Sequence, residues 1–320
     1  MNLFIRILAC LLFFSLSTAA QAQFPDRPIR VVVPLAPGGT GDIFMRALSK
    51  ELGPVWKQPI VIDNKPGAGT TLGAEIVAKA PPDGYTLLLN VVTGSIGQSA
   101  YPKLGYDPIR DFAPITLGFQ TPFVLAVNPS LPVGSVAELI AYAKANPGKL
   151  NFGSGGNGTM SHMSLELLKT VAGIDIVHVP FKGSSPAAAA LVGGQLDGMF
   201  DAPPAMLPFV KAGKLKALAV TTRTRASSAP QVPTMIEAGL PGYEVGVWFG
   251  LVAPANTPAD IVQKINADIV RALANPALIE SLAQQGMDVR TMRPDEFGAY
   301  MRSENVKWTG VVRAAKIRFD

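Results

Sequence analysis

Two glycine-rich segments hold the residues with the clearest chemistry. The first is Pro34-Leu35-Ala36-Pro37-Gly38-Gly39-Thr40-Gly41-Asp42, and the second is Gly153-Ser154-Gly155-Gly156-Asn157-Gly158-Thr159. Each follows a short apolar run and precedes an amphipathic one, which predicts a strand, a loop and a helix. Glycine lets the backbone approach a ligand closely, and the N–H groups of a helix's first turn carry partial positive charge. Both segments therefore predict a site for an anion, and we expect a carboxylate.

Polar side chains near the two segments are candidates for further contacts. In the second segment, Ser154, Asn157 and Thr159 supply neutral hydrogen-bond donors. In the first, Asp42 is placed to cap the helix that follows. Thr93 lies in a polar loop after a third apolar run. A tight turn with a capped helix and no ligand stays open as an interpretation of the first segment.

Asp201 and His162 carry two further hypotheses. Asp201 comes after an apolar run and before an alanine and two prolines, so it either caps the next helix or accepts a hydrogen bond from a ligand hydroxyl, ammonium or bridging water. His162 and Glu166 are four residues apart on one predicted helix, which suits a metal or a base–acid pair. No third ligand is evident and the chain has only two histidines, so we expect a polar helical face, or His162 pointing to a cleft. Phe181 could cover an apolar ligand stem, and Lys182 lies where it could reach the rim.

Enzyme motifs are weakly represented. The first segment lacks the Gly-Lys-Ser/Thr of a nucleotide loop, and the nearest approach to a serine-hydrolase motif, Gly183-Ser184-Ser185-Pro186-Ala187, has alanine where glycine is needed. Residues Gly153 to Gly158 do match the Gly-x-Gly-x-x-Gly of dinucleotide-binding proteins. The acid expected after the next strand is missing, because that strand ends His178-Val179-Pro180. We expect no cofactor, and a dinucleotide-dependent enzyme remains the alternative.

The first 22 residues predict an export signal. Arg6 supplies the positive region, Ile7 to Leu16 the apolar core, and Ala20-Gln21-Ala22 a small-x-small cleavage site. The single cysteine, Cys10, lies in that core. A chain cleaved near Ala22 has 27 basic and 23 acidic residues, scattered rather than in runs, which argues against nucleic acid. We therefore expect a monomeric protein of the periplasm.

Alternating strands and helices predict an α/β fold with mostly parallel sheets. Strands are predicted at residues 29–33, 58–63, 85–90, 123–128, 150–153, 174–179, 196–200, 217–221 and 243–252. Helices are predicted at residues 43–52, 72–80, 136–145, 161–171, 186–192, 205–212, 261–274, 277–285 and 294–315. Gly53-Pro54 is predicted to end the first helix, and residues 100–124 to form a connecting segment with little periodicity.

The pattern restarts after residue 150, which predicts two lobes. If the runs 123–128 and 248–252 pass between lobes, the middle of the chain is an inserted lobe and the tail returns to the first. The resulting division is 1–22 signal peptide, 23–124 plus 248–320 first lobe, and 125–247 second lobe. The two glycine-rich loops would then face each other across a cleft, where small ligands commonly bind.

Several short motifs resemble the Bug family, the extracytoplasmic solute receptors of the tripartite tricarboxylate transporter type. They are the two glycine-rich segments, Asp63-Asn64-Lys65-Pro66-Gly67-Ala68-Gly69, Ala80-Pro81-Pro82-Asp83-Gly84-Tyr85, Val179-Pro180-Phe181-Lys182-Gly183 and Gly239-Leu240-Pro241-Gly242-Tyr243. The likeness runs through nearly the whole chain in order. Phe181 departs from the tyrosine that is frequent in its motif, which puts in doubt any contact that a tyrosine hydroxyl would make there.

The resemblance implies a non-enzymatic receptor with a two-lobed periplasmic binding protein-like fold of type II. It implies that backbone N–H groups of both glycine-rich loops hold a small carboxylate, with ordered water completing the site. Membrane subunits of a transporter are the implied partners. The ligand-binding residues that we predict are Ala36, Gly38, Gly39, Thr40, Gly41, Asp42, Thr93, Ser154, Gly155, Asn157, Gly158, Thr159, His162, Phe181 and Asp201.

Overall fold

A computed structural model describes residues 24–67, 70–92 and 104–314. Within these ranges the chain forms two β-sheets, each flanked by helices, which confirms the predicted α/β class. No helix in the described part of the chain is both long enough and apolar enough to span a bilayer. Predicted features at residues 1–23, including the export signal and its cleavage site, lie outside the described residues, and so does Thr93.

The first sheet has six strands in the order β11-β4-β10-β3-β1-β2. Their bounds are β1 Ile29–Val33, β2 Ile60–Asn64, β3 Thr86–Val91, β4 Phe112–Pro122, β10 Gly246–Pro254 and β11 Asp288–Val289. Strands β2, β1 and β3 are parallel, whereas β10 runs antiparallel to both β3 and β4. Strand β3 is buried along almost its whole length, as expected for an apolar strand covered by helices on both faces.

The second sheet has five strands in the order β7-β6-β8-β5-β9. Their bounds are β5 Val124–Val127, β6 Asn151–Ser154, β7 Val177–Pro180, β8 Gly198–Asp201 and β9 Lys216–Val220. Strands β7, β6 and β8 are parallel, and β5 runs antiparallel to β8 and β9. The parallel strands place the starts of their following helices at one edge of the sheet.

Nine helices are present in the described ranges. Their bounds are α1 Thr40–Trp56, α2 Thr71–Ala78, α3 Val136–Ala145, α4 Met160–Ala172, α5 Ser184–Val192, α6 Pro203–Lys211, α7 Ala259–Ala272, α8 Pro276–Ala283 and α9 Pro294–Ala314. The C-terminal helix α9 packs on the first sheet. Glu304 on this helix is buried and accepts hydrogen bonds from the indole N–H groups of Trp248 in β10 and Trp308 in α9, at 3.2 and 3.0 Å.

The chain crosses between the sheets at Phe123, directly after β4 and before β5. Gly246, the first residue of β10, pairs with Pro122 at the end of β4, and Val124 at the start of β5 pairs with Asp201 at the end of β8. The registers therefore place the carboxyl ends of β1 and β3 at the crossover edge of the first sheet, and those of β6 and β8 at the crossover edge of the second.

Three sequence predictions about elements are wrong in detail. Helix α1 does not end at Gly53-Pro54 but continues to Trp56, because the Trp56 ring is buried and its N–H donates to Asp268 Oδ2 at 2.9 Å. The supposed connecting segment contains the eleven-residue strand β4, whose Pro114, Gly118 and irregular register conceal any alternation. The run 123–128 crosses between the sheets only at its first residue, Phe123, and continues as β5 of the second sheet, whereas the run 248–252 lies wholly within β10 of the first.

Candidate functional site

The candidate site consists of two glycine loops at the crossover edges of the two sheets. The first glycine loop, residues 36–42, spans the turn after β1 and the first three residues of α1, and the second glycine loop, residues 154–159, joins β6 to α4. Both therefore have the predicted position between a strand and a helix. In such positions the carboxyl ends of parallel strands and the starts of helices present backbone donors to a ligand.

The first glycine loop is organised by Asp42, which is only 2% exposed. Its Oδ2 accepts hydrogen bonds from the Gly38 backbone N–H at 2.9 Å and from Arg46 Nε at 2.8 Å, and its Oδ1 accepts one from Asn64 Nδ2 at 3.1 Å. The hydrogen bond from Arg46 is the main reason that the Asp42 pKa falls from 3.8 to about 2, with Gly38 and Asn64 adding to it. Asp42 is ionised at neutral pH, and its carboxylate is occupied by the protein.

Asp42 does not cap helix α1 in the predicted way. The helix begins at Thr40, its N-cap is Gly39, and no side chain accepts from its first N–H groups. The first intrahelical bond joins the Ile43 N–H to the Gly39 carbonyl at 3.0 Å. Because an α-helix leaves its earliest N–H groups without intrahelical partners, those of Thr40, Gly41 and Asp42 are directed out of the helix end. The Asp42 side chain instead reaches back to hold Gly38, which adopts a φ of 79°.

The second glycine loop is held by histidine rings. Gly158 donates its N–H to His162 Nδ1 at 3.1 Å, and Ser154 Oγ lies 2.6 Å from His178 Nε2. The two rings stack with 3.7 Å between centroids and 5° between planes. Ser154 Oγ also accepts from the Gly156 N–H at 3.1 Å. The stacked pair thus holds both ends of the loop, His178 at Ser154 and His162 at Gly158.

One prediction placed His162 and Glu166 on a polar helical face, and it is wrong. Each is 7% exposed, and they lie on the buried face of α4 with 3.7 Å between His162 Nε2 and Glu166 Oε1. Lys169 Nζ donates to the same oxygen at 2.9 Å. Burial would raise the Glu166 pKa, but the contacts with His162 and Lys169 outweigh it and lower the pKa. Burial and the charge of His162 lower the pKa of His178 to about 4, so that ring is neutral at pH 7.

Two backbone donors of the second glycine loop are unpaired in the described part of the chain. Within the described residues, the backbone N–H groups of Gly155 and Asn157 make no hydrogen bond to the protein, and the Asn157 side chain is exposed. Thr159 is the N-cap of α4, and its Oγ1 receives the His162 N–H at 3.4 Å. The loop therefore resembles the first in offering main-chain donors and differs in having a side-chain cap.

Asp201 is the last residue of β8 and is 6% exposed. Its Oδ1 accepts the N–H of Ala202 at 2.8 Å, whereas its Oδ2 is buried with no hydrogen-bond partner in the described part of the chain. Helix α6 begins at Pro203 with Ala202 as its N-cap and without a side-chain cap. Asp201 is therefore not the helix cap that one of its two predictions required. Burial raises its pKa, against the opposing effects of Ala202 and Ser184.

Phe181 lies beside the second glycine loop and is partly buried. Its N–H donates to the Ser154 carbonyl at 3.0 Å, and its side chain packs against the apolar cluster beneath α5 and α6. Gly183 donates to the Gly155 carbonyl at 3.1 Å. The structure thus brings the β7 and β6 loops into direct contact. Lys182 between them is exposed.

Sequence reasoning missed four residues that shape the site: Arg46, Asn64, His178 and Ser184. Asn64 and His178 stand in motifs that were noted, but their partners are 22 and 24 residues away and no spacing rule connects them. Arg46 is four residues after Asp42 on the same helix, a spacing that could have indicated the ion pair. Among the described residues, no cluster of three or more histidine, cysteine or acidic side chains could hold a metal ion.

Comparisons with known proteins agree with this architecture. Residues 44–317 match the family model described as "Tripartite tricarboxylate transporter family receptor". The chain is 36% identical over 292 residues to "Protein BugT" of Bordetella pertussis, covering 91% of this chain and 90% of that protein. Two solved structures from Rhodopseudomonas palustris are also similar. Rpa4515 with adipate has 36% identity and a TM-score of 0.73, and covers 92% of this chain and 99% of its own. MatC with bound malate has 38% identity and a TM-score of 0.69, and covers 90% and 100%.

Proposed function

We propose, from the premise that this chain belongs to the tripartite tricarboxylate transporter receptor family, that it captures a small carboxylate between two lobes. Its fold is that of the family's two-lobed periplasmic binding proteins. The proposed lobes are residues 23–124 plus 248–320 and residues 125–247. The observation that carries the proposal is that two glycine loops with free backbone donors lie at the crossover edges of the two sheets.

Backbone donors on both lobes explain why binding would close the protein. A carboxylate held by one loop alone forms fewer hydrogen bonds than a carboxylate that both loops reach. The ligand therefore stabilises the closed form by its differential affinity, and the lobes move about the two crossing segments. The proposed contacts lie in the segments Gly38 to Asp42 and Ser154 to Thr159, with Phe181 and Asp201 at the edge. Their donors are the N–H groups that no described protein group accepts, those of Thr40, Gly41, Asp42, Gly155 and Asn157. Ala36 and Thr93 complete the proposed set.

The held geometry of the first glycine loop supports this role. Asp42 is neutralised by Arg46 and fixed by Asn64, so it adds little unbalanced negative charge beside the ligand. A helix start with no side-chain cap favours an anion through its free N–H groups and its dipole. For this role the loop needs only to keep Gly38 and the first turn of α1 in one arrangement.

Relatives with bound ligands indicate the chemical class. The Rpa4515 structure is named for adipate and MatC for malate, both of which are dicarboxylates. We infer that the ligand of this chain is also a small carboxylate, that the protein is exported to the periplasm with cleavage near Ala22, and that it does no chemistry on its ligand. Membrane subunits of a tripartite tricarboxylate transporter are the proposed partners.

Thermal-shift and calorimetric titration of the mature protein against dicarboxylates, aromatic acids and acidic amino acids tests the proposal. A ligand at a hundred times its Kd stabilises the protein by about 2.7 kcal/mol, so a cognate acid raises Tm clearly. NAD serves as the comparison ligand, because residues Gly153 to Gly158 match a dinucleotide motif. Binding of NAD with no response to any carboxylate would replace the receptor with a dinucleotide-dependent enzyme.

A further inference from the structure

Asp201 has one buried carboxylate oxygen without a partner. The residue is 6% exposed, its Oδ1 accepts from Ala202, and its Oδ2 makes no hydrogen bond within the described residues. A buried acceptor without a donor costs free energy, and an unpaired buried charge costs more. Such an atom at the crossover edge of a ligand-binding fold therefore requires an explanation.

The local sequence explains why the protein does not satisfy this oxygen. An acidic side chain before a helix ordinarily receives N–H groups from the helix's first turn. Here the first two positions of α6 are Pro203 and Pro204, and proline has no N–H. The next N–H, that of Ala205, donates to the Ala202 carbonyl at 3.0 Å. The start of α6 therefore has no free N–H group that could pair with Asp201 Oδ2.

Strand register places Asp201 next to the second glycine loop. Gly153 of β6 pairs with Met199 of β8, so Gly155 and Asp201 lie level, two residues further along parallel strands. Neighbouring strands are about 4.8 Å apart. A Cβ built on Gly155 would lie 3.3 Å from both N and Oγ of Ser184, whose hydroxyl also lowers the Asp201 pKa. The unpaired oxygen therefore belongs to the same group of loops as the free N–H of Gly155.

We propose that Asp201 selects, among small carboxylates, those that carry a hydrogen-bond donor beside the carboxylate, namely a hydroxyl or an ammonium group. This inference rests on the proposed function. The ligand carboxylate takes the backbone donors of Gly155 and its neighbours, and the adjacent donor pairs with Asp201 Oδ2. An acid without such a group brings its negative charge towards an unpaired carboxylate oxygen and gains nothing from it.

The test is calorimetric titration with matched acids. One set is succinate, malate and aspartate, and the other is adipate and 2-aminoadipate, so that chain length and the added donor vary separately. The wild-type protein is expected to bind the donor-bearing member of at least one set about 10- to 100-fold more tightly, the range for pairing a buried acceptor. Hydroxyl and ammonium sources are distinguished by comparing malate with aspartate.

Asp201→Asn is the decisive variant. With its oxygen on Ala202, the amide turns an NH₂ group to the former Oδ2 position, which cannot accept a hydrogen bond. The preference for an ammonium-bearing acid should fall to within about threefold, while the unsubstituted acid binds as tightly as before or more so. Ser184→Ala is the matched control. It removes the protein hydroxyl that lies near Asp201 and keeps the Asp201 carboxylate, so the preference is expected to remain.

Three results separate the outcomes. Carboxylates that bind with no donor preference in the wild-type protein overturn the inference and leave the receptor intact. A preference for the ammonium-bearing acid that survives Asp201→Asn, or that is lost only in Ser184→Ala, also overturns it. The wild-type protein gives a check that needs no variant. The donor preference should grow as pH rises and Asp201 ionises, whereas tighter binding of the unsubstituted acid at low pH alone would indicate a shared proton instead. Absence of binding by every acid would refute the receptor itself.

Discussion

Two buried aspartates stand beside the two glycine loops, and the protein uses them in opposite ways. Asp42 accepts hydrogen bonds from Gly38, Arg46 and Asn64, and its pKa is lowered to about 2. Asp201 keeps one oxygen unpaired, and burial raises its pKa. The Asp42 carboxylate fixes the first glycine loop. Asp201 keeps Oδ2 unpaired because its neighbouring helix begins with two prolines, which is why we propose that Asp201, and not Asp42, recognises a donor group on the ligand.

The second glycine loop does not need Asp201 for its support, because two histidines fix the loop. His162 holds Gly158, His178 holds Ser154, and the rings stack upon each other. The two histidines lie on the face of the second sheet that α4 covers. Asp201 shares its side of the sheet with Met199, which packs in the apolar cluster beneath α5 and α6. Opposite faces of one sheet thus separate the residues that hold the loop from the one that could read the ligand.

Removing the Asp42 carboxylate should have the largest effect. Asp42→Ala leaves the Gly38 N–H and the Asn64 amide without their acceptor in a buried place, and we expect the free energy of unfolding to fall by about 2 to 3 kcal/mol. Carboxylate affinity should fall with it, because the loop loses its fixed arrangement. Urea unfolding at pH 7 measures the first effect and calorimetry the second.

Arg46→Ala is the control for this variant. It removes the exposed member of an ion pair whose acid is buried, and it leaves the contacts of Asp42 with Gly38 and Asn64 in place, so we expect a loss of about 1 kcal/mol. A loss in Asp42→Ala no larger than the loss in Arg46→Ala would mean that the contacts with Gly38 and Asn64 contribute nothing.

Acidification should weaken the histidine scaffold. His178 has a pKa of about 4 in the folded protein and about 6.5 when unfolded. Between these values the unfolded chain binds a proton that the folded chain does not, so stability rises with pH through this window and is lost as pH falls. We expect a loss of about 1 to 2 kcal/mol from pH 7 to pH 5, allowing for solvent around a half-buried ring.

Comparison with His178→Gln isolates this effect, since glutamine does not titrate. Urea unfolding of both proteins at pH 7 and pH 5 is the measurement. An equal loss in both would place the titrating group elsewhere, with His162 and Glu166 as its nearest titratable neighbours.

Asp201→Asn should raise stability where Asp42→Ala lowers it. The raised pKa of Asp201 means that its folded form holds a proton more readily than its unfolded form, so its contribution to stability is lost as pH rises above about 3.8. Removing the charge should therefore stabilise the ligand-free protein by about 1 kcal/mol at pH 7. The gain should shrink towards pH 4. A destabilised Asp201→Asn protein at pH 7 would show that its carboxylate is paired after all.

Asn157→Ala should have the smallest effect. Its side chain is exposed and makes no hydrogen bond to the described protein, while its backbone N–H remains in the variant. We expect a change in unfolding free energy below about 0.5 kcal/mol and a ligand affinity within about threefold. A much larger loss of affinity in calorimetry would assign ligand recognition to this side chain rather than to main-chain donors.

Local patterns predicted much of the fold, and long-range contacts account for what they missed. Helix α3 and strand β1 have the predicted bounds, because caps and β-branched runs are local signals. Helix α1 passes Pro54 because Trp56 contacts Asp268, 212 residues away. Both glycine loops were predicted from their glycines, but the partners of Asp42 and the stacking of His162 depend on strands brought together by the sheets. The isolation of Asp201 Oδ2 also follows from packing, although the two prolines after it were visible in the sequence.

A crystal structure of the mature protein with a bound dicarboxylate, malate being the first to try, is the most direct test. The two-loop site predicts one carboxylate within about 3.2 Å of backbone N–H groups from both glycine loops. Its partners should come from residues 38–42 on one side and residues 154–159 on the other. A carboxylate that touches one loop only, or that binds away from the crossover edges of the two sheets, would contradict it.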